Sequence, residues 1–479
     1  MALRVKRFFE KRADSAGWMA SIRRVGYTPP ALAHDPPPVL RRQLGLAAVA
    51  AVVMGDMLGS GVFFTPGELA AVAQTPWHVY FFWGLCGAIT LCGALTLAEL
   101  TVLLPHSGAS YYAIREGFGP FWAFLKIWIE MWVSGPGSVA GVAIALGALV
   151  ARLLGPQASL SAPAWGAIAI VAFTAINLLG IRWGGRTQVA LTAVKILGLL
   201  ALVGGSLFLA APAAPTTLAS EASRGADVLG LVRLVGLGVA AVLFTYDGWV
   251  DVTHVAGEVK DPRKDLPLGL GLGVAAITGL YLLVNYAYLR VVPLEAMRAA
   301  PATVASSVAL AAFGPGGGQV LNGLILVSIL GALGGLVMTL PRLYYGAACQ
   351  YEQSAFFRLL ARISTKGVPQ GAALFSAALA ITALFVFSTF SRIVTFFVVP
   401  VQLVNILMVA SVFRLRARAA RLDAPYLTPG YPLVPAIYVV VLLLFLASAI
   451  VYNPWETFMG MAMTATGVPM YLWTTRGQR

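Results

Sequence analysis

The chain has 479 residues, of which 59% are hydrophobic and only 11% charged, a balance that excludes a soluble globular protein and defines a multi-pass membrane protein. Its formal net charge of +14 would suggest nucleic acid as a partner in a soluble chain. Here the basic residues fall in short stretches between apolar runs, where they orient the chain in the bilayer, and no nucleic acid is expected.

About forty polar residues, rich in Arg and including Pro36-Pro37-Pro38, precede the first apolar run. They lack the short apolar region and small-residue cleavage site of a secretory signal, so residues 1–43 are expected to be a solvated cytoplasmic tail. Cys86, Cys92 and Cys349 lie in or beside apolar runs, and no disulfide is expected. His34, His78, His106 and His254 are scattered without ligand spacing, which assigns neither metal nor cofactor.

Runs long enough to cross a bilayer occur near 44–73, 79–104, 121–153, 164–181, 189–211 and 230–255. Six more lie near 267–291, 318–348, 370–389, 392–414, 432–451 and 456–474. Twelve spans place both termini on one side. With the termini inside, the inner segments hold most of the 33 Lys and Arg residues, including Arg182, Arg186, Arg342, Arg358 and Arg416. The outer segments hold few, among them Arg290 and Arg298. That bias predicts an integral plasma-membrane protein with cytoplasmic termini.

The first span contains Val52–Gly67, VVMGDMLGSGVFFTPG, and breaks its own helix. Gly55, Gly59 and Gly61 each cost roughly 1 kcal/mol against Ala in a helix interior, and they flank the acidic Asp56. A span opens its backbone at membrane depth only where the freed groups line a cavity or meet a ligand. Close helix packing through small residues accounts for Gly55 and Gly59, but not for a carboxylate costing about 2.5 to 3.5 kcal/mol on insertion scales. The break therefore points to a binding site.

Span six repeats the pattern with Phe244-Thr245-Tyr246-Asp247-Gly248-Trp249, followed by Asp251. Interrupted spans five apart indicate an inverted repeat, one to five against six to ten, with the site between the halves. The expected layout is a transport core over 44–414, repeat one over about 44–211 and repeat two over about 230–414, with 432–474 forming two further helices. The amides of Ser60 and Gly61 begin the second half of span one, where the positive helix end suits a carboxylate. The carbonyls freed around Phe244, Thr245 and Asp247 suit an ammonium. Together they describe an α-amino acid.

Other charged residues carry blander readings. Lys126 and Glu130, four apart on span three, are expected to pair with each other. Glu258, Lys260, Asp261, Arg263, Lys264 and Asp265 read as a solvated, helix-capping cytoplasmic loop.

The ordered set of motifs resembles the amino acid-polyamine-organocation superfamily, and within it the L-type exchangers and bacterial serine/threonine exchangers. It comprises Gly59-Ser60-Gly61-Val62-Phe63 with Thr65-Pro66-Gly67, Ala98-Glu99-Leu100, Ser107-Gly108, Gly119-Pro120 and Pro136-Gly137-Ser138. Asn177, Gly180, Lys195, Phe244–Trp249, Gly257–Pro262 and Asp265-Leu266-Pro267 continue it. The resemblance implies an all-α, five-plus-five inverted-repeat transporter of the LeuT-like type with helices one and six broken, working by alternating access. It assigns the Ser60 and Gly61 amides, beside Gly59, to the substrate carboxylate. The carbonyls of Met57, Phe244 and Asp247, next to Thr245, go to the amine, and the Phe244 ring to a gate. Lys195 would stand where sodium-coupled relatives hold an ion, bridging spans one, five and eight.

Two departures from the family pattern stand out. Asp56 replaces a neutral polar residue, and Gly334 replaces an Asn in span eight. Asp56 and Lys195, the two ionisable groups placed nearest the first break, are the candidate coupling residues, with protons the candidate coupling ion. The predicted function is a secondary amino acid carrier for neutral L-amino acids, acting as exchanger or proton symporter. A basic amino acid or polyamine carrier is the alternative suggested by Asp56, and a non-transporting amino acid sensor the alternative from another class. Neither a nucleophile–base grouping nor a GxxxxGK loop is present, so an enzyme or primary pump is not expected. Animal L-type exchangers join a single-span subunit through a cysteine in the outer loop near 154–163; none occurs here, so no disulfide-linked subunit is expected.

Overall fold

A computed structural model describes residues 40–155, 159–212, 238–239, 242–351, 354–386, 390–418, 426–452 and 454–476. The tail 1–39 and most of the connection between spans five and six lie outside the described residues, and so does the Phe244 side chain.

The described residues are helical, with one isolated parallel bridge between Leu44 and Val259. Span one is two helices, α1 (Leu46–Met57) and α2 (Gly61–Val72), bent by 42° across the three residues between them. There follow α3 (Pro76–Leu103), α4 (Ala109–Phe118), α5 (Pro120–Ile129), α6 (Gly135–Leu154), α7 (Ala162–Leu178) and α8 (Ile181–Phe208). Span six is irregular, a short 3-10 turn at Phe244–Tyr246 and a 3-10 stretch at Trp249–Glu258. The second half holds α9 (Pro262–Val291), α10 (Leu294–Ala299), α11 (Val304–Phe313), α12 (Gly317–Ala348), α13 (Ala355–Leu360), α14 (Gln370–Val386) and α15 (Phe390–Arg418). Last come α16 (Leu433–Tyr452), α17 (Pro454–Ala465) and α18 (Gly467–Arg476).

Among the described residues seven helical stretches are long and apolar enough to cross a membrane, and the bent α1–α2 pair makes an eighth. The other expected spans differ for physical reasons. α7 and α14 are apolar but only 17 residues long, about 26 Å at the α-helical rise. The twelfth run is divided at Thr466 into α17 and α18.

Between α5 and α6 the chain runs through a π-helical turn, Glu130–Ser134. Pro136 explains it: with no N–H to donate and a ring that crowds the carbonyl four residues back, it cannot continue a regular α-turn. The turn places Glu130 at a bend.

α1 lies at the centre, packed between α8, α9, α12 and the 3-10 stretch of span six. Backbone bonds hold the residues just before it to the end of span six. Gln43 N and Leu44 N donate to the Glu258 carbonyl at 2.7 and 2.9 Å, and Lys260 N donates to Leu44 O at 2.7 Å. At the opposite end, arginines cap helix ends. Arg298 donates to Ala70 O and Ala73 O at the end of α2, and Arg290 to Ser206 O and Ala210 O at the end of α8.

Candidate functional site

The break in span one is held from three sides. Leu58 N and Gly59 N turn back to Met54 O and Met57 O at 2.9 Å each. Lys195, fully buried on α8, donates from Nζ to Gly55 O and Leu58 O at 2.8 Å each. Those are carbonyls that the end of α1 leaves without helical partners, and a cation there also complements the negative end of the helix dipole. Thr192, one turn earlier on α8, donates to Ala51 O at 3.0 Å.

Asp56 is held differently. Gln188 Nε2 donates to its Oδ1 at 3.0 Å, while Oδ2 has no hydrogen-bond partner among the described residues. The carboxylate and the Lys195 ammonium attract each other, yet the amine's hydrogen bonds go to the α1 carbonyls rather than to Asp56. Gln188 is a partner that sequence reading missed.

α12 makes room for both charges. A Cβ at Gly331 would meet Lys195 Nζ at 2.6 Å, and a Cβ at Gly335 would overlap the Asp56 carboxylate. Gly334 packs against the Phe173 ring. The glycines of α12 thus accommodate polar groups supplied by α1 and α8.

Tyr281 on α9, also missed, joins the two breaks. Its hydroxyl lies 2.7 Å from Met57 O and 3.2 Å from Thr245 O. With Gly59 N also bound to Met57 O, both lone pairs of that carbonyl are engaged. Thr245 contacts α2 directly, its Oγ1 lying 2.8 Å from Thr65 Oγ1, and it fills the space beside Gly61, where a Cβ would meet its Cγ2 at 2.7 Å. Gly248 sits at φ 104°, a left-handed conformation favouring glycine, and a Cβ there would meet the Asp56 carbonyl carbon at 2.8 Å. The two broken segments therefore touch backbone to backbone. Ser60 N, Gly61 N and Val62 N have no backbone acceptor among the described residues, and a Cβ on Gly59 would meet nothing within 4 Å.

Asp247 faces the other side of span six. It lines a small polar cavity with Thr90, Tyr246, Gln402, Asn405 and Tyr438. Lys126 and Glu130 form the expected pair at 3.2 Å, and Ser134 Oγ donates to Glu130 Oε2 at 2.9 Å.

The reading of Glu258 as part of a solvated loop is corrected. Its carboxyl is completely buried and accepts from Arg342 Nε of α12 at 2.9 Å. Arg342 Nη1 donates further to Asn177 Oδ1 at 2.6 Å and Met338 O at 2.8 Å. Lys260, Asp261, Arg263 and Lys264 are exposed, as expected. The signal for the buried pair was present only as an arginine near the end of a long apolar run.

A broken, doubly engaged helix at the centre of a multi-pass helical protein, with free amides on one side of the break and held carbonyls on the other, defines a membrane transporter for a small polar solute. Residues 44–475 match the amino acid permease family. The chain belongs to that family and is an amino acid transporter. It is 28% identical to the serine/threonine exchanger SteT of Bacillus subtilis (strain 168), over 90% of this chain and 96% of that one. It is 26% identical to the human cystine/glutamate transporter, over 92% of this chain and 88% of that protein. It is likewise 26% identical to the mouse large neutral amino acids transporter small subunit 2, over 90% and 81% of the two chains.

Proposed function

We propose that the protein is a secondary active carrier of neutral L-amino acids that works by alternating access, as an exchanger or proton symporter, without chemically converting its substrate. In this reading the chain has twelve spans in the plasma membrane with both termini cytoplasmic. Residues 44–414 are the transport core of two inverted five-span repeats, and 432–474 add two helices. The amides of Ser60 and Gly61, beside Gly59, hold the substrate carboxylate. Carbonyls of the second break, at Phe244, Thr245 and Asp247, receive the ammonium, joined by Met57 O when Tyr281 releases it. Phe244 is the gate. Lys195 and Asp56 couple the break to the movement of α1, and no disulfide-linked subunit is needed.

The observation that carries this reading is the paired engagement of the α1 break: Lys195 satisfies its freed carbonyls while the amides at the start of α2 have no backbone acceptor among the described residues. The test is uptake of the proteinogenic amino acids by liposomes containing the purified protein alone, with and without internal substrate and a pH gradient. Uptake of neutral amino acids supports the proposal. Binding without uptake, with the fold intact, would count against transport by the chain alone.

The unpaired Oδ2 of Asp56 favours one second reading, a carrier of basic amino acids or polyamines. The same panel separates the two.

A further inference from the structure

A groove of about 630 Å³ opens at the end of the molecule where α1 and α8 begin, well away from the break. One wall is the start of α1, Gly45 to Ala48, and the other is α8 at Val189 and Ala190. Its remaining lining includes Arg182, Arg186 and Lys260, with no acidic residue among the lining side chains. All three cations are exposed, and none has a hydrogen bond or ion pair to a protein group among the described residues. The Arg186 guanidinium lies 5.8 Å from the centroid of the Trp183 ring, itself 55% exposed. An exposed tryptophan beside basic residues at the start of a long apolar helix marks headgroup depth in a bilayer.

We propose that this groove binds an anionic phospholipid, its phosphate held by Arg182, Arg186 and Lys260 and its acyl chains lying along the apolar seam between α1 and α8. Charge complementarity selects the occupant: three cations without an ion partner among the described residues line the groove beside an apolar wall, as a charged headgroup above hydrocarbon requires. A neutral, zwitterionic lipid fills the apolar part but leaves the cations without net compensation, so headgroup charge should decide affinity. The volume is within the range of sites that enclose most of a small ligand. Because one wall is the beginning of α1, a lipid seated there braces the helix whose far end Lys195 holds.

The test is native mass spectrometry of the detergent-solubilised full chain titrated with phosphatidylglycerol or phosphatidylcholine. Wild type is expected to retain phosphatidylglycerol preferentially. The triple variant Arg182→Gln, Arg186→Gln, Lys260→Gln should lose that preference, by about fivefold for each cation removed, with phosphatidylcholine adducts unchanged. Arg182→Lys with Arg186→Lys should keep it. Ala190→Trp, at an exposed position on the groove wall, should weaken binding of both lipids without altering charge. Equal retention of the two lipids by wild type, or an undiminished preference in the triple variant, would overturn the proposal. So would displacement of bound phosphatidylglycerol by millimolar inorganic phosphate, which would make this a site for free anions.

Discussion

Gly331 leaves the volume that the Lys195 side chain occupies: a Cβ at 331 would come within 2.6 Å of the lysine nitrogen that bonds Gly55 O and Leu58 O. The glycine on α12 and the lysine on α8 therefore form one device. Lys195→Ala should remove two charge-assisted hydrogen bonds, each worth about 1.5 to 3 kcal/mol, and stop or uncouple transport while leaving substrate binding measurable. Gly331→Ala should be harmful in wild type and nearly neutral in the Lys195→Ala background, because the clash goes with the lysine. Uptake and thermal stability of the four proteins check this. Additive losses would separate the two residues.

Gly59 and Gly61 are both assigned to the carboxylate, but their surroundings differ. Gly61 is covered by Thr245, whereas a Cβ at Gly59 meets nothing. Gly61→Val should therefore lower stability even without substrate, by overpacking of about 1 to 3 kcal/mol. Gly59→Ala should fold normally and lose affinity, since its methyl enters the space beside the amides. Ser60→Ala should be mild, the recognition being through backbone. Measuring melting and substrate binding in the same samples distinguishes these outcomes, and normal binding by Gly59→Ala would move the carboxylate elsewhere.

Tyr281→Phe removes the hydroxyl that bridges Met57 O and Thr245 O. A loss of about 0.5 to 1.5 kcal/mol of stability is expected, with the transport rate changed more than substrate affinity, because the hydroxyl ties the two breaks together. A thermal melt and the separation of KM from maximal rate read the two effects.

The buried Glu258–Arg342 pair gives a sharper contrast. Glu258→Gln leaves the Arg342 charge without its ionic partner, a change that costs about 3 to 5 kcal/mol when such a pair is broken from one side. Replacing both residues together, as Glu258→Leu with Arg342→Met, should cost much less than the sum of the single changes. The measurement is the melting temperature of detergent-solubilised wild type, Glu258→Gln, Glu258→Leu, Arg342→Met and the Leu/Met double variant.

The contrast between what was read in sequence and what was not follows the range of the interactions. The break at 58–60 is a local matter of glycine propensity, and Lys195 stands out because an ammonium inside an apolar run has few innocent explanations. Gln188 and Tyr281 gave no such signal. Each is an ordinary residue of a long helix until the fold brings it to the break, 132 residues away from Asp56 in one case and 224 from Met57 in the other. Glu258 misled for a related reason, since its charged neighbours in sequence are exposed while its own partner arrives from α12. The short α7 and α14 and the 3-10 geometry after Trp249 were also beyond hydropathy, which registers an apolar run without fixing its helical length or pitch.

Asp56→Asn separates the two substrate readings while keeping the shape of the side chain. An asparagine keeps the shape that Gly335 accommodates and still offers Oδ1 to Gln188 Nε2, while its new amide replaces Oδ2, the oxygen without a partner. The packing around position 56 should therefore be kept, while the buried Lys195 loses its neighbouring carboxylate, so a thermal melt is read beside binding and insertion. If the substrate is a neutral amino acid, its ammonium is met by carbonyls of the breaks and its carboxylate by the Ser60 and Gly61 amides, so affinity should be retained. If the substrate carries a second positive charge that Oδ2 receives, the loss should be about 1 to 3 kcal/mol, the scale of a charge-assisted hydrogen bond. Coupling is read separately, from uptake with and without an imposed pH gradient, because Asp56 and Lys195 share an electrostatic field at the end of α1. A response to the gradient identical to wild type in both Asp56→Asn and Lys195→Ala would remove the pair from the coupling mechanism. Loss of the response in either variant, with neutral substrate still bound, would place coupling at the break.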